Sequence, residues 1–268
     1  MSDAGQVGSS AAEFYEEFFV PALFEEWVPR LVAAAGVRSG QRVLDVACGT
    51  GVATRAAARA VAPSGTAVGI DLNAAMIAVA RGKAPELEWH EGAAEALPFD
   101  DASFDAVMSQ FGLMFFADQA AALREMWRVL QPTGRLAVAV WGSLEQTPGY
   151  AGVTSLLSRL FGDAVADLLR SPYSLGDVGR LERLMAEAGV AQARVQLVPG
   201  TARFPSIRSW IECDVRGWTL ADHIDDAQFE RLVAEAEKEL AHLVDAHGEV
   251  EFAHPALIAT AVKSTRAD

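Results

Sequence analysis

Four residues carry the first chemical signal in the chain: Asp45, Gly49, Gly51 and Asp71. Gly49 and Gly51, in the run ACGTG, permit positive φ and let a ligand approach the main chain closely. Asp71 ends a second apolar run, TAVGID, twenty residues after Gly51. A carboxylate at that place accepts two hydrogen bonds from a ribose diol, which selects a nucleoside without selecting a particular cofactor. Asp45 narrows the choice. A carboxylate just before the turn repels a pyrophosphate, which prefers the bare amides of a helix N-terminus, and favours a cationic ligand. The third glycine of the dinucleotide fingerprint is also missing, because Thr54 stands in its place.

The elements that position these groups are legible on either side of the turn. Val43, Leu44 and Val46 form a short apolar run with β-branched residues, the pattern of a strand buried on both faces. The Ala-rich run from Val52 to Val61 follows with strong helix formers. Strand, glycine turn and helix open a nucleotide-binding α/β unit.

Asp45, Gly49-Thr50-Gly51 and Asp71 together resemble the class I S-adenosylmethionine-dependent methyltransferases. Two further strings narrow the resemblance. EALPFDDASFD is similar to the segment joining the third and fourth strands of the ubiquinone/menaquinone-type (methyltransferase type 11-like) branch. LREMWRVLQPTGRL resembles the family's E-x-x-R-V-L-x-P-G-G segment, with Thr133 replacing a glycine. Motifs cover Arg42 to Gly142, and beyond them only the layout agrees. S-adenosyl-L-methionine offers an ammonium and a sulfonium and no phosphate, which suits Asp45.

The resemblance implies a cofactor site built from Asp45, Ala47, Cys48, Gly49, Thr50 and Gly51 at the turn. Asp71, Leu72 and Met76 follow, then Ala93, Ala94 and Glu95, then Ser109 and Gln110 beside the methyl group. Many family members have Gly-Asp-Ala where this chain has Gly92-Ala93-Ala94, and that aspartate accepts a hydrogen bond from the adenine amino group. Ala93 cannot do so. Adenine recognition then rests on backbone near Ala94 and Glu95 and on apolar contacts with Leu72 and Met76. Cys48 is read as a small packing residue of the turn, not a nucleophile.

The implied fold is a Rossmann-like, doubly wound α/β domain. Its mostly parallel seven-stranded sheet has helices on both faces, N-terminal helices and a helical lid inserted before the last strand. One domain spans 1–268: a helical cover over 1–40, a cofactor core over 41–142 and a substrate-side half over 143–268. Phe14, Phe18, Leu23, Trp27 and Leu31 recur at helical steps in the cover, with Pro21 and Pro29 breaking it into pieces. ARVQLVPGTARF reads as the sixth strand, and the last lies within EVEFAHPALIATAVK. The lid, about 205–248, carries helices over Ser206–Arg216 and Asp226–Ala246.

Methyl transfer needs an acceptor placed in line and water excluded. Tyr15, Phe19, Phe111, Phe115, Trp141, Trp210 and Trp218 are the candidates for the acceptor's walls, although aromatic residues at such spacings also make core. No catalytic residue is assigned: His223, His247, His254, Glu212 and Asp214 lie in or beside the lid without a defining motif. A non-methylating S-adenosylmethionine-binding protein stays open. An NAD(P)-dependent oxidoreductase stays open too, against Asp45 and the missing glycine.

Composition bounds the partners. A net charge of −14 argues against sequence-independent binding to phosphate backbones and gives an anionic membrane no attraction. No apolar run reaches the roughly 18–20 residues of a membrane span, and MSDAGQVGSS lacks the pattern of a secretory signal. Cys48 and Cys213 have no metal-binding spacing. The expectation is a cytoplasmic enzyme with a small-molecule acceptor, no nucleic acid, no membrane and no metal, with a homodimer as the assembly to test.

Overall fold

The computed structural model describes residues 9–190, 192–216, 220 and 222–265. Five strands run parallel: β1 (Arg42–Val46), β2 (Thr66–Asp71), β3 (Glu88–Glu91), β4 (Phe104–Gln110) and β5 (Leu130–Trp141). β6 (Arg194–Val198) follows, then a two-stranded ribbon of β7 (Thr201–Phe204) and β8 (Val250–Ala253), then β9 (Ala256–Val262). The main sheet has the order β3-β2-β1-β4-β5-β9-β6, with β9 antiparallel to both neighbours. Val43, Leu44 and Val46 are fully buried, as the unbroken apolar run of a central parallel strand demands.

The chain enters through α1 (Ser9–Phe14), a π-helix over Tyr15–Phe24, a 3₁₀ turn over Glu25–Trp27 and α2 (Val28–Ala34). Pro21 lies inside the π-helix, and Pro29 opens α2, where a missing N–H costs nothing. α3 (Val52–Val61), α4 (Ala74–Lys83) and α5 (Gln119–Val129) connect the parallel strands. Asn73 and Asp118 cap the last two with side-chain oxygens. Beyond β5 come α6 (Pro148–Phe161), α7 (Asp163–Arg170), which sequence reading missed, and α8 (Val178–Glu187).

α9 (Ile207–Arg216) and α10 (Asp226–Glu239) form the helical insertion. The strand read as ARVQLVPGTARF is broken, and the last strand lies within EVEFAHPALIATAVK as expected, as β9, with the short β8 before it. Pro199-Gly200 separates β6 from β7, and His254-Pro255 separates β8 from β9; proline has no N–H for the ladder. The insertion therefore begins and ends in its own ribbon. α10 also stops short of Ala246, since the chain tightens into a 3₁₀ turn over Ala241–Leu243. Arg30 donates to the Pro199 carbonyl at 2.5 Å and Thr201 N–H to Glu26 at 3.3 Å, tying the N-terminal segment to the ribbon.

Candidate active site

The glycine turn lies at the carboxyl end of β1. Gly51 is left-handed at φ +85°, and a Cβ there would sit 2.3 Å from the Trp89 ring, so glycine is required twice over. Asp71 accepts from Gly49 N–H and Asn73 N–H, both at 2.8 Å, and so holds the turn against the end of β2. Asp45 is buried beneath it, and Thr54 Oγ1 donates to its Oδ2 at 2.6 Å. Tyr15, half-buried, crosses above: its ring would be 3.9 Å from a Cβ on Gly49.

Burial pushes the Asp45 carboxyl up to about 7 despite the Thr54 hydroxyl, and the charge of Asp71 adds to the rise. Burial raises Asp71 too, against the pull of the Asn73 and Gly49 N–H groups. Tyr15 is held far above its usual range by burial and then by Asp71, Glu16 and Asp45. Three acidic groups crowd one turn. Such a site discharges itself best on a cation.

An aromatic pocket adjoins the turn. Phe24 spans the join, with ring centroids 5.2 Å from Tyr15, 5.7 Å from Phe111 and 5.8 Å from Trp141. Phe111, left-handed at φ +57° after β4, stacks on Trp141 at 3.6 Å, and Trp141 stacks on His254 at 3.9 Å. Gln110 Nε2 donates to the Phe24 carbonyl at 3.3 Å. Behind Phe19 and Phe24 lies a cavity of about 30 Å³ that Trp141, Tyr150, Tyr173, Asp214 and His254 also line. Tyr173 Oη lies 3.1 Å from His254 Nε2, and Tyr150 Oη donates to Asp214 Oδ1 at 3.2 Å. Burial pushes His254 down to about 3, so it is neutral at physiological pH.

Residues 44–138 match the model of a methyltransferase domain. Over 118 residues the chain is 47% identical to the ubiquinone/menaquinone biosynthesis C-methyltransferase of Hahella chejuensis, covering 42% of this chain and 47% of that one. It therefore spans about half the length of that relative. Over 188 residues it is 35% identical to the demethylmenaquinone methyltransferase of Staphylococcus aureus, covering 65% of this chain and 78% of that one. The chain belongs to the ubiquinone/menaquinone-type class I S-adenosylmethionine-dependent methyltransferases. The Haemonchus contortus phosphoethanolamine N-methyltransferase 2 shares the fold, with a TM-score of 0.62, 21% identity, 98% of this chain covered and 59% of that one. Methyl transfer to a small-molecule acceptor and S-adenosylmethionine as cofactor come with the family.

In this methyltransferase Ala47, left-handed at φ +56°, and Cys48 lie within the turn, and the Cys48 thiol donates to the Gly49 carbonyl at 3.7 Å and packs in the cluster that holds Trp89. Burial raises that thiol well above its usual range, which suits packing and not attack. Leu72 is exposed beside Asp71, while Met76 and Ala94 are buried and Ala93 is half-buried. The Glu95 carboxylate turns to the Ala117 and Asp118 N–H groups at 3.0 and 3.3 Å. Arg128 clamps the same loop through Glu125, Asp101 and the Leu97 and Phe99 carbonyls. Ser109 is fully buried at the end of β4.

Among the expected walls, Phe19 and Trp141 line the cavity and Phe111 backs it. Phe115 sits half-buried against the core, apart from the lining. Trp210 is a correction: it is fully buried behind the wall, 5.5 Å from Tyr150 and 4.6 Å from Phe252 between ring centroids. Trp218 lies outside the described residues. His223 and His247 are exposed, whereas His254 and Asp214 reach the cavity. Phe24, Tyr150 and Tyr173 are the wall residues that sequence reading missed. Phe24 stands in the expected helical cover, and no motif marks Tyr150 or Tyr173.

Proposed function

We propose that the glycine turn binds S-adenosylmethionine and the aromatic pocket binds a small, flat, apolar acceptor, with the methyl group passing between them near Phe24 and the ends of β4 and β5. One observation carries this reading. The buried side-chain polar atoms lacking a partner among the described residues fall into two groups. Glu16 Oε2, Asp45 Oδ1, Thr50 Oγ1, Ser109 Oγ and Gln110 Oε1 belong to the turn half, and Asp214 Oδ2 and Trp210 Nε1 to the pocket half. Buried polar atoms are normally paired, so the first group points to a ligand, whereas the Trp210 indole N–H serves the Asp214 carboxylate behind the wall. The first is all oxygen, which suits a ligand rich in N–H donors and positive charge.

Asp45 then faces the cationic methionine end and Asp71 the ribose hydroxyls. Leu72, Met76 and backbone near Ala94 hold adenine, and Ser109 and Gln110 hold the methionine chain. When bound, the cofactor supplies an electrophilic methyl carbon on a positively charged sulfur. The protein's part is placement and water exclusion: Phe24, Phe111 and Trp141 seal the join, and positioning of this kind is worth several kcal/mol, at most about 7–11. The cavity, about 30 Å³, is far below the ~300 Å³ of an ordinary ligand pocket, so the acceptor parts the wall that Phe19 and Phe24 make.

The enzyme acts in the cytoplasm on a small molecule. Its charge of −14 repels nucleic acid, and among the described residues no helix is long and apolar enough to cross a membrane. The test is transfer of a labelled methyl group into a host metabolite extract, with mass spectrometry of the product, beside calorimetry of the cofactor and of NAD(P). Binding of NAD(P) without S-adenosylmethionine would refute the reading. Cofactor binding without any labelled product would leave a non-methylating binder.

A further inference from the structure

Arg55 ties the glycine turn to the N-terminal cover. From near the start of α3, its Nη1 donates to the Thr50 carbonyl at 2.6 Å and its Nη2 to Glu16 Oε1 at 2.9 Å. Glu16 stands in the first turn of the π-helix, and Lys83, at the end of α4, lies 3.5 Å from the same oxygen. The Glu16 and Arg55 side chains are only 10% and 19% exposed, so water and salt screen this pair less than an ordinary surface bridge. One rigid guanidinium offers two N–H groups to two acceptors at once, and a lysine ammonium has no such fork.

Each acceptor matters for a different reason. The Thr50–Gly51 peptide is held at both ends: its carbonyl accepts from Arg55, and its N–H donates to the Cys48 carbonyl at 2.9 Å. Asp71 holds the N–H of Gly49 just before it. Arg55 thus completes the fixing of a turn whose left-handed Gly51 lets a ligand approach the main chain. Glu16, on the other side, adjoins Tyr15, whose ring crosses above Gly49. At the far end of the same helix Gln110 Nε2 donates to the Phe24 carbonyl. The π-helix is therefore fastened near both ends, to the glycine turn through Arg55 and to β4 through Gln110.

We infer that Arg55 is a positioning residue of the cofactor site: it sets the Thr50–Gly51 peptide for the cofactor and, through Glu16, clasps the π-helix over it. This rests on the reading of the glycine turn as the cofactor site. Arg55 acts through the peptide and the helix that it holds. Because Tyr15 crosses above Gly49, a ligand reaches the turn with the π-helix displaced, and the Arg55–Glu16 contact closes afterwards. The pair therefore governs escape of the cofactor and leaves its entry almost untouched.

The test measures release of S-adenosylhomocysteine by stopped flow, with hydrogen exchange read over Tyr15–Phe24, in the full chain and its variants. In the wild type the ligand is expected to slow exchange over the π-helix. Glu16→Gln, Arg55→Gln and Arg55→Lys are each expected to speed release by about tenfold, the scale of a hydrogen bond to a charged group. Association should change by less than about twofold, and the ligand's protection of the π-helix should be lost. Glu16→Gln combined with Arg55→Gln is expected to release no faster than Arg55→Gln alone, because the two side chains make one fastening. Rates that multiply in the double variant make the residues independent and overturn the clasp. Release at the wild-type rate from Arg55→Lys overturns the two-acceptor fork. Unchanged release from all variants, with circular dichroism showing them folded, overturns the proposal and leaves the cofactor site standing. Failure of the wild type to bind S-adenosylhomocysteine overturns the reading of the turn and the proposal with it. A merely structural role would lower the melting temperature of the variants without touching release, and that result also overturns the proposal.

Discussion

The Thr54 hydroxyl lies 2.6 Å from Asp45 Oδ2, and this pair links the two departures from the dinucleotide fingerprint. The position that a dinucleotide-binding turn gives to glycine here supplies the donor that keeps a buried carboxylate partly ionisable. Thr54→Val keeps the branched shape and removes the donor. Cofactor affinity should fall by up to about 1.5–3 kcal/mol, the scale of a hydrogen bond to a charged group. Calorimetry checks this, and unchanged affinity would mean that Asp45 does not face the bound cation.

Asp45 also predicts a pH dependence. Its carboxyl titrates near 7 in the folded protein, far above the ordinary value near 3.8. A raised folded pKa favours the fold while the group is protonated, and that contribution is lost as pH rises through the folded value. The protein alone should therefore melt at lower temperature at pH 8 than at pH 6, and Asp214, pushed up to about 8 by burial, adds to the trend. A cationic ligand reverses the sign. Its affinity should rise across the same interval with release of a proton, seen as a buffer-dependent binding enthalpy.

Asp71 anchors Gly49 and Asn73 and, on the proposed reading, holds the ribose hydroxyls. Asp71→Ala should weaken S-adenosylmethionine binding by about 1.5–3 kcal/mol. A folded mutant with unchanged affinity would remove Asp71 from the site.

Trp210 is fully buried between Phe204, Tyr150 and Phe252. Trp210→Ala should cost about 3–5 kcal/mol of stability. Trp210→Phe should keep most of it and leave cofactor affinity within about twofold. Denaturant melts separate the two, and a neutral alanine variant would show that the helical insertion has no packed centre of its own.

Thr133 occupies a left-handed backbone, φ +68°, where the family segment has glycine. A β-branched residue pays roughly 1–2 kcal/mol there, partly offset by the greater freedom of unfolded glycine. Thr133→Gly should stabilise the fold by about 0.5–1 kcal/mol, readable as a higher melting temperature.

The turn half was legible because its constraints are local. Gly51, Asp45 and Asp71 are each fixed within a few residues of a strand end, and the short β-branched run around VLDV, closed by a glycine turn, reads as a covered parallel strand. The pocket half was not. Phe24, Tyr150, Tyr173 and Asp214 come from four separate elements and His254 from the β8–β9 junction, and no spacing within any one of them shows that they converge. Trp210 reads as wall or core equally well, since a buried aromatic has the same pattern in both. The strand read as ARVQLVPGTARF failed for a different reason: β-formers stand on both sides of Pro199-Gly200, and the break lies in the two residues between them.

Phe24 touches Tyr15 above the glycine turn and Trp141 in the aromatic pocket, so on the proposed reading exchange of either ligand disturbs the other's enclosure. Turnover should accordingly be ordered. The nucleoside loads first, while the π-helix carrying Phe24 is still displaced, and the acceptor follows as that segment settles. The methylated product then leaves before the spent thioether. Inhibition by S-adenosylhomocysteine should be competitive toward the cofactor alone, and the slowest event in a cycle should be the parting of one ten-residue segment, not the making of a bond.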